Sequence, residues 1–89
     1  MFDVLTAPDG TYTLEGTPVN RETGYFVGLN GETRAFNNAK LIGIWTGPDG
    51  VRYVDRSRHV EGLYSALKLA RAHEQIAIWD CAKEEEIYV

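Results

Sequence analysis

Over its first two thirds the chain carries short stretches of alternating apolar and polar residues, separated by turn signals at Pro8-Asp9-Gly10, Asn30-Gly31 and Pro48-Asp49-Gly50. Alternation with a period of two marks half-buried strands, and these turn residues supply either a fixed proline φ or a position tolerant of positive φ. The pattern predicts three hairpins: roughly residues 2–6 with 11–15, 24–29 with 32–36, and 41–46 with 51–55. Residues 16–23 read as a loop with room for a short edge strand, because Pro18 has no amide hydrogen to give to a ladder.

Beyond the third hairpin the period changes. Val60, Leu63, Tyr64, Leu67 and Ala70 recur at three- and four-residue spacing while Glu61, Ser65, Lys68 and Arg71 fall elsewhere, which predicts an amphipathic helix over 60–73. Ser57 or Asp55 is placed to cap its start. Residues 76–80 then read as a buried strand, and Glu86-Ile87-Tyr88-Val89 as a final strand returning from a turn around residues 82–84. The fold expected is α+β: a mostly antiparallel sheet built from hairpins, a curved sheet or half-barrel, packed on one C-terminal helix. At 89 residues there is room for one core, so residues 1–89 are expected to form a single domain.

Strand alternation has a consequence for the surface. If Ile42, Ile44, Ile76 and Ile78 face the helix, Leu41, Trp45 and Trp79 face the other way. One helix covers one face only. The second apolar face must then be covered by the curl of the sheet itself or by another chain, a second copy included.

The phrase Thr6-Ala7-Pro8-Asp9-Gly10 returns as Thr46-Gly47-Pro48-Asp49-Gly50, which reads as one turn used twice and not as a solenoid repeat. A hydrophobic content of 44% against 25% charged residues places the chain among folded proteins. Cys81 is the only cysteine, so no intrachain disulfide is available, and a reducing cytosol is the compartment expected. Neither a signal peptide nor a membrane span is legible.

The net charge of −4 hides an uneven distribution. Residues 1–50 hold six acids and three bases, 51–73 two acids and five bases, and 74–89 five acids and one base. Without a basic surface or a high pI, nucleic acid is not an expected partner.

Candidate chemistry is sparse. Arg52, Arg56, Arg58 and His59 cluster where the helix is expected to begin, and arginines beside a helix N-terminus suit a phosphate or carboxylate; the bland alternative is a solvated basic turn. His59, His73 and Cys81 lack the short spacings of a zinc site, so neither metal nor cofactor is expected. Cys81 stands beside Asp80 and near Glu84, where negative charge disfavours a thiolate nucleophile. The run Glu84-Glu85-Glu86 reads as a solvated turn in preference to a catalytic carboxylate pair, and no enzyme is expected. That acidic end, with Trp45 and Trp79, can instead serve as a partner-binding surface.

Residues 66–75 leading into 76–80 and closing on Glu86-Ile87-Tyr88-Val89 resemble the C-terminal end of small uncharacterised phage and prophage accessory proteins, over about a third of the chain. The resemblance implies a context: a non-enzymatic protein that binds and blocks a host component such as a defence protein, in the host cytosol. It assigns no role to any single residue. The second expectation is an oligomeric module that sequesters a nucleotide-like anion through Arg52, Arg56, Arg58 and His59.

Overall fold

The computed structural model describes residues 2–29 and 40–89. Among these, six strands and one helix follow in the order β1 (Gly10–Thr13), β2 (Tyr25–Leu29), β3 (Leu41–Thr46), β4 (Arg52–Val60), α1 (Leu63–Ala72), β5 (Ala77–Asp80) and β6 (Glu85–Tyr88). The strands form a single antiparallel sheet in the order β1-β3-β4-β2-β5-β6. The fold is thus α+β, a curved, open antiparallel sheet with a helix near the C-terminus.

The hairpin of β3 and β4 is the one expected, in register from Leu41 with Ser57 to Thr46 with Arg52. Its turn is closed by the Gly50 amide on the Gly47 carbonyl, with Gly50 at φ 79°. The Asp49 carboxylate accepts from the Val51 amide and from the Tyr53 hydroxyl.

The first expected hairpin does not form. Residues 2–6 make a turn instead of a strand, and β1 pairs with β3. The reason lies in the first copy of the repeated phrase: Asp9 does not close a hairpin but accepts from the amide and hydroxyl of Thr46 at 3.0 and 3.1 Å, so the two copies bind each other. The outer edge of β1 is covered by residues 17–19, where Pro18 bridges Tyr12 and the Val19 amide donates to the Thr11 carbonyl. Of the second expected hairpin, β2 is present and pairs with β4 and β5. Its turn at Asn30-Gly31 and its return arm at 32–36 lie outside the described residues.

The helix is shorter than its apolar period predicts, because β4 runs on to Val60. Ser57 and Asp55 therefore sit within a strand; Gly62 precedes the helix, and no side chain caps it. The buried stripe also differs. Ala66 and Ala70, both fully buried, let the helix approach Val27 and Leu29 of β2 and Ile78 of β5 closely, with Leu67 and Leu69 flanking the contact. Leu63 and Tyr64, expected inside, are exposed, Tyr64 at 77%. Burying Val27 and Leu29 contributes roughly 1.5–3 kcal/mol each.

The rest of this face, where Tyr12 stands beside Ile42, is covered by the N-terminal turn. The Phe2 ring packs on Tyr12 with centroids 5.0 Å apart, and Arg52 donates to the carbonyls of Val4 and Ala7.

Candidate binding cleft

Pairing places Trp45, Tyr53, Gly43, Asp55, Ser57, Gly28, Phe26, Trp79 and Glu86 on the face turned away from α1, since register partners share a face and neighbours along a strand alternate. In a flat sheet Trp45 on β3 and Glu86 on β6 would lie about 19 Å apart, four strand spacings of about 4.8 Å. Instead the indole Nε1–H of Trp45 donates to Glu86 Oε1 at 2.5 Å. The sheet therefore curves about this face, and the two ends meet across a cleft of about 930 Å³.

Two aromatic rows lie on this face. Trp45 and Tyr53 lie side by side across β3 and β4, with ring centroids 5.5 Å apart. Phe26 and Trp79 are register partners across β2 and β5, and Trp79 in turn faces Glu86 across β5 and β6. Phe26 is buried, whereas Trp79 keeps 36% of its surface exposed and forms a lip. Asp80 sets the β5–β6 turn by accepting from the amides of Ala82 and Lys83 at 3.0 and 3.2 Å. The Tyr88 hydroxyl donates to Glu86 Oε2, so both oxygens of that carboxylate are held.

Glycine at two strand positions leaves room on the floor for the neighbouring side chains of Ser57 and Gln75. A Cβ on Gly43 would lie 2.5 Å from Ser57 Oγ, and one on Gly28 would lie 2.7 Å from Gln75 Oε1. Gly43 is the register partner of Asp55, whose half-buried carboxylate faces the cleft with no hydrogen-bond donor to it among the described residues. Burial holds the Asp55 carboxyl above its ordinary range.

The lining is acidic. Among the described residues Glu22, Asp55, Glu84 and Glu86 line it against the single guanidinium of Arg21, and the carboxylate of Asp9, which also borders it, is engaged by Thr46 and Arg52. Cys81 closes one end, its amide bonded to the Gly24 carbonyl at 3.0 Å. Its thiol is pushed up by burial, then by Asp80 and Glu61, with Arg21 opposing.

Of the residues singled out in the sequence, Trp45, Trp79, Glu84 and Glu86 come together here, while Glu85 pairs with Asp80 and points to the other face. Arg52, Arg56, Arg58 and His59 are not at a helix N-terminus; all four lie within β4. Alternation puts the three arginines on the helix side and His59 on the cleft side. Arg52 is engaged by Asp9 and two carbonyls, and His59 Nε2–H donates to the Thr23 carbonyl at 2.8 Å. Asp55, Gly28, Gly43, Phe26 and Tyr53 were not legible as site residues; the signal available was glycine inside two strands otherwise rich in β-formers.

Among the described residues no three His, Cys, Asp or Glu side chains gather as a metal-binding group, and no helix is long and apolar enough to cross a membrane. Fold and cleft together define a small α+β chain with a concave aromatic face. No family model, curated protein or solved structure matches it.

Proposed function

We propose that this chain is a non-catalytic binding protein that grips a partner protein in the concave face of its sheet and blocks it, in the phage-type accessory setting that its C-terminal third resembles, with a host defence protein as the partner. One observation carries the reading: two tryptophans 34 positions apart, Trp45 and Trp79, line the same acid-rimmed cleft together with Phe26, and Tyr53 backs Trp45. Tryptophan and tyrosine are the usual anchors of protein interfaces, and a concave apolar wall with a few polar groups is the usual form of a recognition site. The alternative, a sponge for a nucleotide-like anion, has less support. Its four basic residues divide between two faces, and among the described residues the cleft is lined by more acids than bases.

The test is photocrosslinking in host cells from a benzoylphenylalanine at position 84, on the rim of the cleft, compared with one at position 64 on the exposed side of α1. The expected result is one host protein captured from position 84 and lost when Trp45→Ala is added. Capture from position 64 alone would overturn the reading.

A further inference from the structure

The walls and rim of the cleft also restrict what enters it. Among the described residues an anionic group would meet Glu22, Asp55, Glu84 and Glu86 against the single guanidinium of Arg21, Asp9 being engaged by Arg52, and a purely apolar one would leave the half-buried Asp55 carboxylate without compensation. A cation answers both problems. It gains from the faces of Trp45 and Trp79, because aromatic faces attract positive charge, and from carboxylates already in place.

The placement of those carboxylates narrows the cation further. Glu86 stands between the indoles, bonded to Trp45 and paired in register with Trp79, so a group bound to it must lie against aromatic surface. Asp55 is on the floor beside Gly43 and Gly28, with the short Ser57 side chain and the end of Gln75 next to the glycines. A planar guanidinium stacks on an indole and presents several N–H donors in a fixed fork, whereas an ammonium is a compact, strongly hydrated point charge that does neither. A cleft of about 930 Å³ lined by both Trp45 and Trp79 has room for a long side chain.

We infer that the cleft receives an arginine side chain of the partner protein, stacked between Trp45 and Trp79 and held by Asp55 and Glu86. This inference rests on the proposed binding role of the same face and adds the chemistry of the occupant. Among the described residues no donor reaches the Asp55 carboxylate, so an arriving guanidinium adds hydrogen bonds that these residues do not supply. Trp45 already donates to Glu86, so binding requires Glu86 to share or exchange that bond, which couples occupancy to the surroundings of an indole.

Trp45 and Trp79 are the only tryptophans, so intrinsic fluorescence reports on the cleft and on nothing else. The experiment titrates the full chain with capped hexapeptides alternating serine with arginine, lysine or glutamate. The arginine peptide should shift the emission saturably and bind several-fold tighter than the lysine peptide, with no saturable response to the glutamate peptide. Asp55→Asn and Glu86→Gln should each weaken the arginine peptide about tenfold, equivalent to about 1.4 kcal/mol. Glu15→Gln, an exposed acid outside the cleft, should leave it unchanged and so controls for diffuse electrostatic attraction.

Equal binding of the lysine and arginine peptides, no saturable response to arginine, or equal losses in Glu15→Gln and Asp55→Asn would each overturn the inference. The two proposals fail separately. If the arginine peptide fails while Trp45→Ala still abolishes capture of the host protein, the binding face stands and its occupant is not an arginine. If capture survives Trp45→Ala, the face itself is wrong.

Discussion

Trp45 and Glu86, 41 residues apart in sequence and separated by three strands in the sheet, are joined by a 2.5 Å hydrogen bond that closes the open side of the curved sheet. The bond spans elements that make few other contacts, so it acts on curvature more than on local pairing. Trp45→Phe keeps an aromatic ring against Tyr53 and removes only the donor. A hydrogen bond at this partly exposed position contributes about 1 kcal/mol, and a domain of this size loses roughly 4–8 °C of Tm for each kcal/mol. Calorimetric melting should therefore place Trp45→Phe several degrees below the parent, with Glu86→Gln, which keeps an acceptor, in between. Unchanged melting in Trp45→Phe would mean that the curvature is set by the strands alone.

Asp55 makes stability depend on pH in the sense opposite to that of a salt-bridged acid. Its carboxyl is raised by burial, so the folded chain holds the proton more tightly than the unfolded chain does. Stability on its account rises as pH falls through the raised folded value toward the ordinary value, and above the folded value the ionised form costs stability. Asp55→Asn should melt higher than the parent at about pH 7 and lose that advantage by about pH 4. A parent that melts higher than Asp55→Asn near neutrality would show that the carboxylate has a stabilising partner. The same substitution is expected to weaken arginine binding, a gain of stability at the expense of a site.

Cys81 is 5% exposed, and burial, Asp80 and Glu61 all push its thiol up. Both features slow reaction with a disulfide reagent, because the thiolate is the reacting form and the sulfur is out of reach. Labelling in native buffer should be slower than in denaturant by a factor set by the opening equilibrium, and it should accelerate in step with unfolding followed by circular dichroism. Rapid labelling of the folded chain would mean that the cleft end formed by Cys81 opens locally.

How much of this was legible in the sequence depended on whether a feature was local. The β3–β4 hairpin was, because Pro48-Asp49-Gly50 and the alternation on both sides act within one turn. The pairing of β1 was not, because Asp9 is drawn to Thr46 and Arg52, contacts 37 and 43 residues away that no local pattern encodes. The end of β4 was misplaced because Val60 fits both a helical stripe and the strand position opposite Tyr25, and sheet pairing won. Trp45 and Trp79 were legible as outward residues from alternation alone. That they share one cleft required the strand order, with β2 and β4 between them, and Asp55 gave no signal because its importance comes from bare glycine neighbours on adjacent strands.

The end of α1 offers a stabilising change that leaves the cleft untouched. After Ala72 the chain closes in a Schellman arrangement, the Gln75 amide bonding the Ala70 carbonyl and the Glu74 amide the Arg71 carbonyl. This places Glu74 at φ 54°, the left-handed region in which a side chain costs about 1–2 kcal/mol. Glycine escapes that cost but gives the unfolded chain more freedom, worth about 0.5–1 kcal/mol in the other direction. The net expectation for Glu74→Gly is a gain of about 0.5–1 kcal/mol, seen as a higher midpoint in urea with an unchanged slope. Glu74 is exposed and does not line the cleft, so peptide titrations of the variant should match the parent. A lower midpoint would show that the Glu74 side chain makes a stabilising contact that outweighs its backbone strain.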